Sequence, residues 1–240
     1  MTNIVPYVLL AAMAAGISAH AAPAAMPLSV VELYTSEGCS SCPPAEKLLE
    51  RLADRPNVLA LSFHVDYWDN LGWRDRFSLP ESTARQQALT HLLKLSTLGT
   101  PQFIVDGQHS VFGANPLALE AALSEGTRAH STGLQVAPEI SNGELRVQRK
   151  AEGRSEPYDV YLVGYLPKAV TKITRGENAG RTLTEANVVR AIKRIGRSED
   201  SRQQWRLTLP DLEGDAQRFA VLIQSRTSGA IVAAEVPERR

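Results

Sequence analysis

The stretch 30–44, VVELYTSEGCSSCPP, constrains this chain more than any other. Val30 and Val31 begin an apolar, β-branched run that reads as a strand, and Gly38 breaks it. Cys39 and Cys42 follow, two residues apart, and Pro43 and Pro44 suit the first helical turn, where a missing N–H costs nothing. The spacing of Leu48, Leu49 and Leu52 continues that helix. A Cys-x-x-Cys pair at a strand-to-helix turn is the arrangement of a thiol–disulfide redox site. Cys39, at or just before the helix N-terminus, would have its thiolate stabilised by unpaired N–H groups and the macrodipole, and Cys42 could then close a ring with it. A permanent structural disulfide and half of a metal site are the alternatives. No other cysteine exists in the chain, which weakens a zinc site built on thiolates alone.

The N-terminus bears on how this pair is read. Residues 4–17 are almost wholly apolar, and no charged side chain precedes Glu32. With small residues at Ala19 and Ala21, the segment 1–21 reads as a secretory signal peptide, although no Lys or Arg precedes its apolar core. The run is short for a membrane span of about 20 residues, so no span is expected after cleavage, and a retained anchor is the alternative. A secreted or periplasmic setting is oxidising, and the pair would rest there as a disulfide. Such a short loop adds little by constraining the unfolded chain, so the spacing argues for chemistry over reinforcement. The 26 basic and 26 acidic residues balance, and nothing in that composition suggests a nucleic-acid partner.

Beyond the helix, 58–65 reads as a buried strand, making a βαβ unit with a parallel pair. The segment 66–77 is neither helix nor strand and carries Trp68 and Trp73 among aspartates. It reads either as a lid over the cysteine turn or as a small core of its own. A helix is expected over 82–98, with Ala84, Ala88, Leu92 and Leu95 apolar. Phe103, Ile104 and Val105 form a strand, Asp106-Gly107 a hairpin turn, and Val111 and Phe112 the return strand. A helix begins at Asn115-Pro116. From about residue 133, short strands alternate with turns and predict an antiparallel β module over 131–240, sandwich-like and docked on a domain spanning 28–130. The run 175–187 reads as a turn-rich loop whose Arg175, Glu177, Asn178 and Arg181 either bind an acidic substrate or hold one another at the domain boundary.

The cysteine stretch resembles the opening strand and redox loop of glutaredoxins, and Thr100-Pro101 with the strand after it is similar to their cis-proline strand and hairpin. The resemblance implies a thioredoxin-like α/β fold carrying a Trp-rich insertion, with a cis Thr100–Pro101 bond lying against Cys39 and Cys42. The motifs SFHVDYWD (62–69), LGW (71–73) and RGENAGRTL (175–183) resemble a bacterial family of secreted thioredoxin-like proteins of unassigned function. Leu33 stands where thioredoxins resemble one another in carrying a buried acid, and Glu32 should point to the other face of its strand.

The leading expectation is therefore a secreted thiol–disulfide oxidoreductase acting on protein or small-molecule disulfides and thiols. Cys39 attacks, Cys42 resolves, Thr100 and Pro101 shape the groove, and the chemistry needs no cofactor or metal. One rival is copper(I) delivery through Cys39, Cys42 and His64, a soft ligand set. The other is a binding module in which the cysteines are vestigial.

Overall fold

In the computed structural model, residues 28–129, 135–151, 157–199, 204–208 and 215–239 are described; the expected signal peptide lies outside them. The chain is a mixed α/β protein. It runs β1 (Ser29–Thr35), α1 (Pro43–Ala53), β2 (Val58–His64), α2 (Pro80–Leu92), β3 (Gln102–Val105), β4 (His109–Phe112) and α3 (Pro116–Ala129). The strands that follow are β5 (Gln135–Ser141), β6 (Glu144–Ala151), β7 (Tyr158–Lys172), β8 (Thr182–Arg197), β9 (Gln204–Thr208), β10 (Arg218–Ser225), β11 (Ile231–Glu235) and β12 (Glu238–Arg239).

Eight strands form one sheet in the order β11-β10-β7-β8-β2-β1-β3-β4, and β12-β5-β6-β9 form a second. β1 and β2 pair in parallel across α1, as the βαβ pattern predicts. Alternation along β1 sorts its side chains between two faces. Val31 and Leu33 join α1 and α3 in one core, while Val30 and Tyr34 join Leu61 and Phe63 in another. A third core fills the space between the two sheets, where Val136, Leu145 and Val147 meet Val160, Leu162, Phe219 and Val221.

Two expectations change. The boundary near residue 130 is no break in the large sheet, because β8 pairs in parallel with β2 through Ser62 and Val188. Among the described residues, β5, β6, β9 and β12 form the separate layer of a sandwich. The expected helix over 82–98 is α2, which begins at Pro80 and stops at Leu92. Its buried residues are Ser82, Arg85, Gln86 and Leu89, and Ala84 and Ala88 face out. Arg85 sets this rotation, because it forms a two-pronged ion pair with buried Glu32 of β1, both N···O distances 2.7 Å. Tyr34 donates to the same carboxylate at 2.6 Å, and a third Arg85 bond reaches Gln224 of β10 at 3.0 Å. Glu32 thus faces away from α1 and the cysteine turn, as strand alternation requires.

Candidate functional site

Cys39 and Cys42 form a disulfide with a Cα–Cα distance of 5.4 Å. Pro43 and Pro44 are the first helical residues of α1, and Cys42 is its N-cap. Cys39 lies in the turn before it, where its N–H donates to Ser36 O at 3.1 Å. The prolines have no N–H, and the first two N–H groups of the helix, on Ala45 and Glu46, both donate to Cys42 O. The free N–H donors expected from the sequence at this helix end are therefore absent on Pro43 and Pro44 and turned to the Cys42 carbonyl on Ala45 and Glu46. Cys39 is 0% and Cys42 1% exposed, whereas Ser40 and Ser41 between them are exposed.

Two loops seal the disulfide. The 66–77 loop contributes both tryptophans. Trp73 donates to buried Glu37 at 2.7 Å, and Trp68 donates to the Thr100 hydroxyl at 2.9 Å. The Trp68 Cβ lies against Gly38, 3.3 Å from where a Cβ on that glycine would stand. The loop also carries polar scaffolding, with Asp69 accepting from the Asp75 N–H at 3.1 Å and from Ser78 at 2.8 Å. The second loop comes from far along the chain. Asn178 donates to both Glu37 O and Cys39 O at 2.9 Å, and Glu177 accepts from the Ser40 N–H at 3.2 Å. The bonds from Ser40 hold the Glu177 carboxyl below its ordinary pKa. Arg181 in turn donates to Asn178 Oδ1 at 3.0 Å. The polar cluster expected to brace a domain boundary instead grips the cysteine turn. Gly176, with φ +75°, lies 3.3 Å from a Cβ placed on Gly72, so the two loops meet backbone to backbone.

The Thr100–Pro101 peptide is cis. It enters β3, which is antiparallel to β1 with Tyr34 opposite Gln102, so Pro101 and the cysteine turn leave neighbouring strands at the same end of the sheet. Pro101 is buried and Thr100 half-buried, with Trp68 bridging from Thr100 to Gly38.

His64, at the end of β2, has carboxylate neighbours on both ring nitrogens. Nδ1 lies 2.6 Å from Asp75 and Nε2 4.0 Å from Glu185. The copper ligand set of Cys39, Cys42 and His64 therefore competes with two acids for its imidazole. Burial favours the neutral ring, but Asp75, Glu185 and Glu46 outweigh it and hold the His64 pKa at about 10. Burial also acts against Asp75, yet His64 and the N–H groups of Glu37 and Phe77 keep it below the usual carboxylate range. Burial pushes up Glu37, Glu46 and Glu185, the last to about 8. Sequence reading missed Glu46, Asp75 and Glu185. Asp75 stands out in the sequence only as one of the aspartates of the 66–77 segment, and Glu46 is an acid beside the apolar stripe of Leu48, Leu49 and Leu52.

The fold and the sealed cysteine turn define a class, a mixed α/β protein with a disulfide buried between a strand and a helix. Residues 30–224 match the family model described as protein of unknown function (DUF1223), and the chain belongs to that family. It is similar to the crystal structure of protein AGR_C_4864 from Agrobacterium tumefaciens, with a TM-score of 0.72 and 27% identity over 87% of this chain and 92% of that one. It also shares its fold with HBP35 of Porphyromonas gingivalis, with a TM-score of 0.59 and 14% identity over 88% of this chain and 74% of that one. No curated protein matches.

Proposed function

We propose that the protein is a thioredoxin-like thiol–disulfide oxidoreductase, exported to an oxidising compartment, that acts on protein or small-molecule disulfides and thiols. The observation that carries this reading is the Cys39–Cys42 bond at the entrance to α1, with Thr100 and Pro101 emerging beside it from the neighbouring strand. In the reducing direction the Cys39 thiolate attacks a substrate disulfide and expels one substrate thiolate. The Cys42 thiolate then attacks Cys39 Sγ, releases the second substrate thiol and re-forms the protein disulfide. Two electrons pass to the substrate, and an external dithiol must restore the reduced protein. Because neither sulfur carries appreciable surface, exchange requires the 66–77 loop or the 175–181 loop to move away. Residues 1–21 supply the export signal in this reading, testable by N-terminal sequencing of the exported protein.

The deciding experiment equilibrates the purified protein in graded dithiothreitol and glutathione buffers and follows the free thiols of Cys39 and Cys42. A reversible two-electron titration is expected, together with a mixed disulfide trapped through Cys39 in Cys42→Ser. A folded protein whose pair never exchanges would overturn the proposal. The burial of both sulfurs favours a second reading, a non-catalytic binding module. In that case Cys39→Ser and Cys42→Ser would leave the cellular phenotype unchanged.

A further inference from the structure

Behind the cysteine turn, three elements send buried side chains to one point: Glu46 from α1, His64 from β2 and Glu185 from β8. One carboxylate oxygen of each glutamate and one ring nitrogen of His64 all lie within 4.8 Å of one another. His64 Nε2, both Glu46 oxygens and Glu185 Oε2 lack a well-formed hydrogen bond among the described residues. The polar neighbours of Glu46 are the Thr35 and Ser62 hydroxyls, which interact with its carboxylate but make no well-formed hydrogen bond. Buried polar groups are almost always satisfied, so this concentration of groups without well-formed hydrogen bonds asks for something to fill it.

The other side of the imidazole is already arranged. Nδ1 meets Asp75 at 2.6 Å, and Asp75 is itself fixed by the N–H groups of Glu37 and Phe77, both at 2.8 Å. A carboxylate on the far nitrogen fixes the ring's orientation and turns Nε2 towards the two glutamates, where a bound cation would displace the Nε2 proton. This is the usual outer shell of a metal-bound histidine.

We infer that Glu46, His64 and Glu185 form a buried site for a divalent first-row transition cation, with zinc the best match. One imidazole and two carboxylates suit zinc, manganese or iron(II) and are too hard for copper(I). Bonds of about 2.1 Å would bring the ligand atoms to about 3.0–3.4 Å apart. The observed 4.0 Å between His64 Nε2 and Glu185 Oε1 closes to that range through small side-chain rotations, and both Glu46 oxygens and Glu185 Oε2 have no well-formed hydrogen bond to give up. Charge points the same way, because two ligand carboxylates offset the dication. The site also has a structural use. The parallel seam joining the two halves of the large sheet has one registered pair, Ser62 with Val188, and His64 and Glu185 lie on opposite sides of it. A cation there would clamp β8 to β2 and α1. No sulfur takes part, so the site is independent of the cysteine chemistry.

The test uses the full-length oxidised protein, stripped with chelator and then titrated with Zn²⁺, Mn²⁺ and Co²⁺. One equivalent retained through dialysis is expected, with Tm raised by about 5 °C or more when free cation exceeds Kd by about a hundredfold. The Co²⁺ form should show visible bands of nitrogen and oxygen ligation, without an intense near-ultraviolet thiolate band. Glu46→Gln and Glu185→Gln should each weaken binding by at least about tenfold, and Asp75→Asn by about 10- to 100-fold. The wild-type titration and spectrum decide the matter even where a variant fails to fold. Two results would each overturn the site: folded wild-type protein that retains no cation and shows no Tm shift, or tight binding that survives the Glu46→Gln/Glu185→Gln double change.

Discussion

Asn178 shows how much one side chain can decide at the cysteine turn. Its amide is buried and donates to the carbonyls of Glu37 and Cys39, while its own oxygen is occupied by Arg181. Asn178→Ala leaves both carbonyls without that donor, and each lost bond costs on the order of 1 kcal/mol. Stability should fall by about 1–3 kcal/mol in urea titrations. The Cys39–Cys42 bond should also be reduced faster by dithiothreitol, because the 175–181 loop is held on the turn by that amide and by Glu177. An unchanged reduction rate in a destabilised variant would mean that the 66–77 loop alone controls access. The cysteine spacing was legible in the sequence, but the partner holding the turn was not. Asn178 lies 139 residues from Cys39, and no local pattern encodes such a contact.

At the scale of elements, α2 is the instructive case. Its alanines suggest an apolar face at helical spacing, yet the helix buries Ser82, Arg85 and Gln86. Arg85 neutralises Glu32, which strand alternation drives into the interior, so the rotation of α2 answers a charge on β1. The network then extends through Gln224 to the Gly229 carbonyl between β10 and β11. Arg85→Met would leave the Glu32 carboxylate buried without its cation and should cost about 3–5 kcal/mol. Adding Glu32→Gln should restore a large part of that loss, as a double-mutant cycle on urea midpoints would show. Full additivity of the two changes would contradict a direct pair. The early end of α2 follows from local geometry, because Lys94, just past the C-cap Leu93, takes a left-handed φ of 53°.

Across the whole molecule, the first 130 residues and the remainder share a core. Val30, Leu61 and Phe63 from the first part pack with Val163, Val189, Ala220 and Leu222 from the second. The Asp106-Gly107 turn is also seated on the later strands. Asp106 O accepts from the Ile231 N–H at 2.8 Å, and a Cβ on Gly107 would fall 2.0 Å from Gly229 O. A fragment ending at residue 130 should therefore lack a cooperative thermal transition and bind a hydrophobic dye, while the full chain unfolds the two regions together. Independent melting of the fragment near the full-length Tm would refute this coupling.

Local chemistry made part of this protein readable in advance. The apolar run into Gly38, the prolines after Cys42, the Asp106-Gly107 turn and the start of α3 at Pro116 each rest on the conformational limits of neighbouring residues, and the structure has elements at those places. Tertiary structure alone decided three things: the direction α2 faces, the continuation of the sheet from β2 into β8, and the gathering of Glu46, His64, Asp75 and Glu185 behind the cysteine turn. Each depends on buried charges or hydrogen-bonding groups finding partners across long stretches of chain. Burial makes an unpaired polar group costly, so these residues take their positions from one another and not from their neighbours in sequence.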